Sequence, residues 1–311
     1  MMPNKTYHPR EVLRNQEKNR KQKYSAQTSG KNWKINRKIS INDNIISELR
    51  TRFKEDHSTP LFISRGKVDL FLKCKRCFYF AMNLGFRRLK PLPLPLNNLV
   101  DACFKNDMDY CRTHDIVHPV FSENNLSLKP FNPEDFKLIQ EWRDDMKSFI
   151  GATYHYEKYN WLLCGIIDDV LVDDNGMLYI VDCKSTSKIS NIHTFDDVSF
   201  GASLKIQLEW YSWLLNKMGY EVSKTAYLVY YNAIQDKHLE PNEELSLMRF
   251  RRSLVSVECN WDWIEATLDE MKECLLQDSA PEQEFYNHKG KEINACDDCS
   301  YLNTYQKLQS V

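Results

Sequence analysis

Two aspartates and a lysine near the middle of the chain form its most informative chemical pattern. Gly165 is followed by two isoleucines and Asp168, and Asp182 stands two positions before Lys184. Two carboxylates held close together are costly unless a positive charge shares their site. Mg²⁺ and Mn²⁺ supply that charge, prefer oxygen ligands, and leave positions for water and phosphate. The pattern predicts a divalent-metal site at Asp168 and Asp182, with Lys184 beside it.

Hydrolysis of a phosphodiester bond is the chemistry that these residue types fit. A metal ion held by two aspartates polarises the scissile phosphate and lowers the pKa of a bound water. Lys184 can orient or help deprotonate that water and stabilise the developing negative charge. The alternative is that Asp168 and Asp182 are surface carboxylates at strand ends, with Lys184 as their salt-bridge partner. Both aspartates lie in strongly apolar segments, where a charge is costly, and this favours the metal site.

Two predicted strands position these residues. The first strand is predicted over Trp161–Val172 and the second over Met177–Lys184, with a tight Asp-Asn-Gly turn at 174–176 between them. If the two strands pair, Asp168 approaches Asp182.

Side-chain alternation decides which groups share a face of the second strand. Asp182 and Lys184 point to one side and Cys183 to the other, because successive side chains of a strand alternate. The carboxylate and the ammonium group of this strand are therefore expected on one face.

Apolar spacing and capping residues predict the surrounding elements. A helix is expected around 44–54, and another after Asn97, with an apolar face of Leu99, Val100, Cys103 and Phe104. Further predicted elements are a helix starting at Asn132-Pro133, a helix through Leu204, Leu208, Tyr211, Leu215 and Met218 that stops at Gly219, a strand at Thr225–Tyr231, and a last helix capped by Asn260. The predicted fold is α/β, a mixed central sheet flanked by helices.

A third motif adds a family resemblance to the two strands. Gln207 and Tyr211 lie one turn apart on the predicted helix downstream of the Asp168 and Asp182–Lys184 motifs. In this order and spacing the motifs resemble the RecB-like branch of the PD-(D/E)XK nuclease superfamily, which includes the RecB and AddB nuclease domains and CRISPR-associated RecB-like exonucleases. The resemblance covers roughly residues 62–303. It implies a restriction-endonuclease-like core and DNA hydrolysis with Mg²⁺ or Mn²⁺.

The resemblance also implies roles for individual residues. Asp168 and Asp182 would bind the catalytic metal ions, and the backbone carbonyl of Cys183 would be a further ligand. Gln207 and Tyr211, on one helix face, would contact DNA or support the site. Tyr211 also lies on the apolar stripe of its helix, so core packing is an equal alternative for it.

The first motif of the family departs from its usual form here. A helix carrying Gly-x-x-x-His corresponds to Asn97 through Asp101 in this chain, so that Asp101 stands in place of the histidine. A carboxylate can ligate Mg²⁺ or Mn²⁺ through oxygen, which makes Asp101 a candidate metal ligand. An exposed helix carboxylate is the alternative. Lys105, Asp107 and Asp109 are weaker candidates nearby.

Two Cys-x-x-Cys pairs suggest a second metal site. Cys74 and Cys77 lie near the start of the resemblance, and Cys296 and Cys299 near its end. Four thiolates suffice for a tetrahedral Zn²⁺ site or an iron–sulfur cluster that would tie the two ends together. Two unrelated pairs of thiols are the alternative. RecB-like nucleases with clusters have one cysteine upstream and three downstream, so the two-plus-two split leaves zinc and [4Fe-4S] both open. The remaining cysteines are expected in the core: Cys103, Cys111, Cys164, Cys183, Cys259 and Cys274.

Composition places the chain among globular proteins. Of 311 residues, 42% are hydrophobic and 27% charged, with a net charge of -1. Residues 1–40 contain eleven Lys or Arg and two Glu, a local balance of about +9. We expect 1–40 to be a largely unstructured basic arm, suited to phosphate contact or simply solvated, and 41–311 to be the nuclease domain. With no bilayer-length apolar run and no signal-peptide pattern, a cytoplasmic location is expected and no membrane partner.

A metal-dependent DNA nuclease is the function that these observations favour. The resemblance implies a setting in DNA repair, recombination or defence, with DNA and a helicase or a repair or defence complex as partners. One rival is a catalytically inactive nucleic-acid-binding module of the same fold. The other is a structural or partner-binding protein whose metal lies in the cysteine site alone.

Overall fold

The computed structural model describes most of the region that carries the motifs. It gives residues 60–86, 94–143, 151–198, 201–235, 247–283, 296 and 298–300 in full, and the backbone of four short strands at 33–35, 39–41, 285–288 and 291–294. The helix predicted around 44–54 lies outside the described residues, as does most of the basic arm. The last part of the predicted arm contains two strands that pair with each other, Trp33–Ile35 and Ile39–Ile41.

Helices and strands alternate along the described chain. The helices are α1 Arg65–Lys73, α2 Lys75–Asn83, α3 Pro95–His114, α4 Pro119–Ser122, α5 Lys137–Trp142, α6 Gly201–Lys217 and α7 Trp263–Leu275. The strands are β1 Trp33–Ile35, β2 Ile39–Ile41, β3 Leu61–Ser64, β4 Lys129–Pro130, β5 Ala152–Tyr156, β6 Trp161–Gly165, β7 Asp169–Val172, β8 Leu178–Thr186, β9 Thr225–Ala233, β10 Phe250–Glu258, β11 Phe285–His288 and β12 Lys291–Asn294. Among the described helices, none is long and apolar enough to cross a membrane.

A mixed sheet forms the centre of the fold, as the sequence predicts. Its five strands run in the order β10-β9-β8-β7-β4, with β8 and β9 parallel and the other neighbours antiparallel. A smaller sheet of order β3-β6-β5 lies beside it, with β3 parallel to β6. Hairpins β1–β2 and β11–β12 complete the described strands.

Helices cover both faces of the central sheet. Helix α3 packs on one face through Phe104 and Met108, against Val181 and Cys183 of β8. Helix α6 packs on the other face, and its Leu208 belongs to the larger core cluster that also includes residues of β6, β9 and α7. Burial of these apolar side chains fixes both helices, at roughly 25 cal/mol for each Å² of apolar surface removed from water. Two helices from distant parts of the sequence therefore converge on β8.

The hairpin between β7 and β8 confirms the predicted turn, while the first strand differs from its prediction. The segment 161–172 is not one strand: it breaks at Ile166–Asp168, and β6 and β7 belong to different sheets. Ile166 and Ile167 continue the apolar run of β6 into the break, so apolar periodicity does not reveal where the strand ends. Gly176 adopts φ +87°, the left-handed conformation that glycine tolerates in such a turn. The break has a functional consequence, because it places Asp168 at the junction of the two sheets.

Three predicted helix details are corrected. Helix α5 begins at Lys137, not at Asn132-Pro133, because the Asp135 side chain accepts the Lys137 N–H in a turn that precedes it. Helix α7 begins at Trp263, and Asn260 accepts the N–H of Asp262 just before it instead of capping it. On α3, Leu99 and Cys103 are exposed, so the face that this helix buries differs from the predicted apolar face.

Candidate active site

Asp168 occupies the break between β6 and β7, where its carboxylate has partners on both sides. One oxygen, Oδ2, accepts the backbone N–H of Cys183 at 2.9 Å. The other, Oδ1, lies 3.1 Å from the ammonium group of Lys105 on α3. The β7–β8 register continues to this point, since Asp169 pairs with Val181. The break thus brings Asp168 next to Asp182, as the predicted hairpin requires.

Asp182 lies on β8 and is almost completely buried, with 1% of its surface exposed. Its Oδ1 accepts a hydrogen bond from Gln207 Nε2 of α6 at 2.6 Å. Its Oδ2 forms an ion pair with Lys184, two residues along the same face of the strand. Cys183 points to the opposite face and packs in the core under α3, as side-chain alternation predicts. The strand, its alternation and helix α6 together define this part of the site.

Asp101 and Lys105 reach the same place from helix α3. Lys105 Nζ lies 2.8 Å from Asp101 Oδ2, one helical turn away, and therefore bridges Asp101 to Asp168. The start of α3 is fixed to the end of β8 by a hydrogen bond from Asn97 to the carbonyl of Ser185 at 3.2 Å. Asp101 is thus not simply an exposed helix carboxylate. The structure places Lys105 at the centre of this group of residues.

The carboxyl pKa values reflect burial opposed by the two lysines. Burial first, and then the charge of Asp168, raise the pKa of Asp182 to about 7 against the pull of Lys184. Burial also acts to raise the pKa of Asp168, but Lys105, Lys184 and the Cys183 N–H outweigh it, so that this pKa is lowered. Burial and Asp168 raise the pKa of Asp101. The positive groups of the protein therefore only partly offset the cost of keeping two adjacent buried aspartates ionised.

Lys184 is held between its strand neighbours. Its Nζ donates to the carbonyl of Cys183 at 3.2 Å as well as pairing with Asp182. Burial acts to lower its pKa, but Asp182 and Asp168 prevail and raise it, so Lys184 is a stable cation here. The carbonyl of Cys183, which the resemblance implies as a metal ligand, is thus within the site and already used as an acceptor.

Tyr211 lies on the same helix as Gln207 but contacts the site from behind. Its ring packs on Gly165: a Cβ added to that glycine would lie 2.6 Å from Tyr211 Cε1. The ring is buried, and burial raises the pKa of its hydroxyl, opposed by a hydrogen bond with Arg65. Of the two roles expected for Tyr211, contact with DNA or support of the site, this geometry favours support of the site. It also explains the glycine of the Gly-x-x-Asp motif, since any side chain there would displace the ring.

The donor set suits a hard divalent cation. Three carboxylates and a backbone carbonyl offer oxygen atoms, the ligands that Mg²⁺ and Mn²⁺ prefer. Asp101 Oδ1 is buried and has no hydrogen-bond partner among the described residues, an arrangement that costs free energy without a cation. Two ammonium groups pair with the three carboxylates. Lys105 lies between Asp101 and Asp168, and Lys184 lies beside Asp182. By their chemistry these residues suit a metal ion that Asp101, Asp168, Asp182 and the Cys183 carbonyl would hold. The three carboxylates are not drawn together as closely as the four cysteines, whose ligand atoms all lie within 4.8 Å of one another.

A second charged cluster behind the site was not predicted from the sequence. The side chain of Asp169 is fully buried and pairs with both Arg112 and Arg143, each of which also pairs with Asp109. Removing one partner from such a buried network typically costs about 3–5 kcal/mol. The cluster joins α3, the end of α5 and β7, and thereby fixes the strand next to Asp168. Asp169 as a second acid in an apolar strand is the signal that could have revealed it.

Of the weaker candidates on α3, only Lys105 reaches the carboxylates of the site. Asp109 belongs to the buried arginine cluster. Asp107 is partly buried, and burial raises its pKa against the opposing charge of Arg252.

The four predicted cysteines come together in space. Cys77 Sγ lies 3.5 Å from the sulfur atoms of both Cys296 and Cys299, and Cys74 Sγ lies 3.7 Å from Cys299 Sγ. Among the described residues these four form the group of potential metal ligands whose atoms all lie within 4.8 Å of one another. The alternative of two unrelated thiol pairs is therefore wrong. Cys103 is exposed, contrary to the expected core position, whereas the other five remaining cysteines are buried.

Backbone N–H groups support negative charge at Cys74 and Cys296 of this second site, whereas burial above all raises the pKa of Cys77 and of Cys299. Cys74 Sγ accepts the N–H of Cys77 at 3.4 Å. Burial acts to raise the pKa of Cys296, but the backbone N–H groups of Cys299 and Asp298, together with the neighbouring thiols, lower it. Such N–H groups stabilise thiolates, the form in which cysteine binds a metal. A four-cysteine site that could hold a metal ion is thus present.

Comparison with known protein families agrees with this geometry. The model of the PD-(D/E)XK nuclease superfamily matches residues 63–304. The chain belongs to this superfamily. The match coincides within one residue at each end with the region over which the sequence resembles RecB-like nucleases. No curated protein matches the chain. As a superfamily member it carries the mixed α/β nuclease fold, with both the acidic site and the four cysteines inside the matched region.

Proposed function

We propose that the protein is a divalent-metal-dependent nuclease that hydrolyses phosphodiester bonds of DNA. The observation that carries the proposal is the meeting of Asp168, Asp182 and Lys184 at one point, where α3 and α6 converge on the central sheet. Two adjacent acids and a cation in a largely buried position are expensive to keep without a catalytic use. An inactive binding module of the same fold has no need for all three.

Each residue of the site has a distinct task in this proposal. Asp101, Asp168, Asp182 and the Cys183 carbonyl would hold the catalytic metal. Bound Mg²⁺ or Mn²⁺ supplies Lewis-acid activation of the phosphate and of a water molecule.

The other polar residues orient water and fix the ligands. Lys184, stably protonated in the absence of metal, orients the attacking water and stabilises negative charge on the phosphate. Gln207 fixes Asp182 by its hydrogen bond, and Tyr211 supports the chain at Gly165.

A RecB-like character of this nuclease is supported by the order of its motifs. Gly165, Asp168, Asp182, Lys184 and Gln207 follow one another in the RecB-like arrangement, and four cysteines flank the site in sequence. We infer that residues 41–311 form the nuclease domain and that the basic segment 1–40 contacts DNA phosphates. DNA repair, recombination or defence is the proposed setting, with a helicase or a repair or defence complex as partner in the cytoplasm.

Zinc is the proposed occupant of the cysteine site. A tetrahedral Zn²⁺ ion with Zn–S bonds near 2.3 Å sets its sulfur atoms roughly 3.8 Å apart. Three of the six sulfur–sulfur separations are 3.5–3.7 Å, close to that spacing, and all six lie within 4.8 Å. A [4Fe-4S] cluster places four irons and four sulfides among the thiolates, so its cysteines must stand farther apart. The sulfur geometry therefore favours one small ion over a cluster.

A cleavage assay tests the proposed activity. Purified full-length protein is incubated with labelled single-stranded DNA, double-stranded DNA and RNA, with Mg²⁺, with Mn²⁺ and with chelator. We expect metal-dependent cleavage of DNA, and a loss of at least about 10²-fold when Lys184 is changed to Ala, because removing one group that stabilises developing negative charge typically costs about that much. The substrate panel also shows which of single-stranded DNA, double-stranded DNA and RNA is cleaved.

The same assay separates the rival functions. Metal-independent DNA binding without cleavage of any substrate, in protein with a filled cysteine site, would favour the inactive binding module. Cleavage that persists unchanged in Lys184→Ala would place the activity elsewhere. Lys129→Ala is the matched control, because this lysine forms only a surface ion pair with Asp115, and its activity is expected to equal that of the wild type.

A further inference from the structure

Lys105 has a position that the proposed nuclease chemistry does not by itself explain. Its ammonium group lies 2.8 Å from Asp101 Oδ2 and 3.1 Å from Asp168 Oδ1, with 19% of the side chain exposed. It thus contacts two of the three carboxylates that would bind the catalytic metal. Lys184 contacts the third. Two lysines, not one, share the site.

Helix α3 holds Lys105 firmly in this position. Phe104, its neighbour in sequence, and Met108, one turn further on, are both fully buried against the central sheet. The start of the helix is bonded to the carbonyl of Ser185, near the end of the catalytic strand β8. The stem of Lys105 is therefore anchored on a rigid element, and its ammonium group is directed at the carboxylates by the packing of the helix.

The charges of the site favour a single divalent ion. Three carboxylates and two ammonium groups give a formal balance of -1. One divalent ion brings the balance to +1, which a phosphodiester of charge -1 neutralises. Two divalent ions would bring it to +3 in a site that already holds two ammonium groups, and like charges in a largely buried site repel one another.

We propose that Lys105 supplies the second positive charge at the active site, in place of a second metal ion, so that each active site binds one divalent cation. This inference rests on the proposed function and specifies how the metal site operates. Lys105 acts as a positioning residue. It neutralises Asp101 and Asp168, keeps both carboxylates oriented toward the metal position, and excludes a further ion.

Titration calorimetry with Mn²⁺ in the absence of DNA tests this role. The proteins are wild type, Lys105→Met, Lys105→Arg and Lys129→Met, all with the cysteine site filled beforehand. We expect one Mn²⁺ per wild-type chain and two per Lys105→Met chain, because methionine keeps the length of the side chain and removes its charge. Lys105→Arg and Lys129→Met are each expected to bind one ion. Thermal unfolding of Lys105→Met checks that the variant is folded.

The outcomes distinguish this inference from the proposed function. Two ions in the wild type, or one ion in folded Lys105→Met, would overturn the role of Lys105. A further titration of Asp182→Ala addresses the metal site itself. If Asp182→Ala binds Mn²⁺ as the wild type does, the proposed catalytic metal site is wrong. If it loses Mn²⁺ while the Lys105 variants fail to differ, the site stands and only the Lys105 inference falls.

Discussion

At the scale of single residues, the site is an excess of buried negative charge that its lysines only partly offset. Asp182 shows this most clearly: it is 1% exposed, yet it adjoins Asp168 and is hydrogen-bonded by Gln207. The pKa of a carboxyl group in this environment stays raised until a metal cation binds next to it. Metal binding and proton release at Asp182 are therefore expected to be coupled.

Mn²⁺ affinity should fall as the solution is acidified. Burial first, and then Asp168, raise the pKa of Asp182 to about 7, so below that pH a proton occupies the carboxylate that the metal needs. Each unit of pH below 7 should weaken Mn²⁺ binding by up to about tenfold, and above pH 8 the dependence should vanish. Calorimetry at pH 6, 7 and 8 measures this. An affinity that stays constant from pH 6 to pH 8 would contradict the coupling.

At the scale of elements, the decisive feature is the break between β6 and β7. A continuous strand would carry Asp168 within one sheet, whereas the break sets it between two sheets, within reach of α3. The contact of Gly165 with the Tyr211 ring locks the end of β6 against α6. The buried cluster of Asp169 with two arginines locks the start of β7 against α3. Packing on both sides thus holds the break in place.

Gly165→Ala should destabilise the protein by about 1–3 kcal/mol, the usual cost of overpacking. The added Cβ would lie 2.6 Å from the Tyr211 ring, which is itself enclosed by the core. Urea unfolding measures the change in the free energy of unfolding. Gly66→Ala is the control: its Cβ would meet its nearest atom, Ser64 Oγ, at 3.8 Å, and in helix α1 alanine is the better helix former. Equal stabilities of the two variants would refute the role given to Gly165.

At the scale of the whole molecule, the four cysteines join the two ends of the nuclease region. Cys77 and Cys296 are 219 residues apart in sequence and their sulfur atoms touch. Cys74 and Cys77 stand at the junction of α1 and α2, before the catalytic strands, and Cys296 and Cys299 follow α7. A metal ion bound by these four cysteines would link the beginning and the end of the nuclease region.

Loss of one cysteine ligand should release the metal and weaken the fold. Cys299→Ser is expected to lose one zinc per chain and at least about 2 kcal/mol of unfolding free energy, as for the loss of a long-range cross-link. Elemental analysis and urea unfolding measure the two effects. Cys103→Ser, at an exposed position, should keep both zinc and stability. A brown protein with iron and sulfide in wild-type preparations would contradict the zinc assignment.

The sequence was sufficient to predict those parts of the site that lie within one hairpin and one helix. Asp168, Asp182 and Lys184 could be placed together because strand pairing and side-chain alternation are local rules. Gln207 followed from the motif order, and the four cysteines from their spacing. The central sheet and its flanking helices were likewise predictable from periodicity.

The remaining features depend on tertiary packing. Lys105 meets Asp168 where the strand breaks, and the apolar Ile166 and Ile167 conceal that break from a reading of the sequence. The pairing of Asp169 with Arg112 and Arg143 links three separate elements, and no local pattern indicates which arginine meets which acid. Leu99 and Cys103 were assigned to the wrong face because apolar spacing alone does not fix how a helix is rotated on its sheet.

The most direct test of the central claim compares two aspartates of the same hairpin. Asp182 is buried at the proposed metal site, whereas Asp174 is exposed in the turn that joins β7 to β8. The measurement is the single-turnover rate of DNA cleavage at saturating Mn²⁺ for wild type, Asp182→Asn and Asp174→Asn. A metal-dependent nuclease with this site predicts no detectable cleavage by Asp182→Asn and a wild-type rate for Asp174→Asn. Equal rates for the two variants, in folded protein, would contradict it.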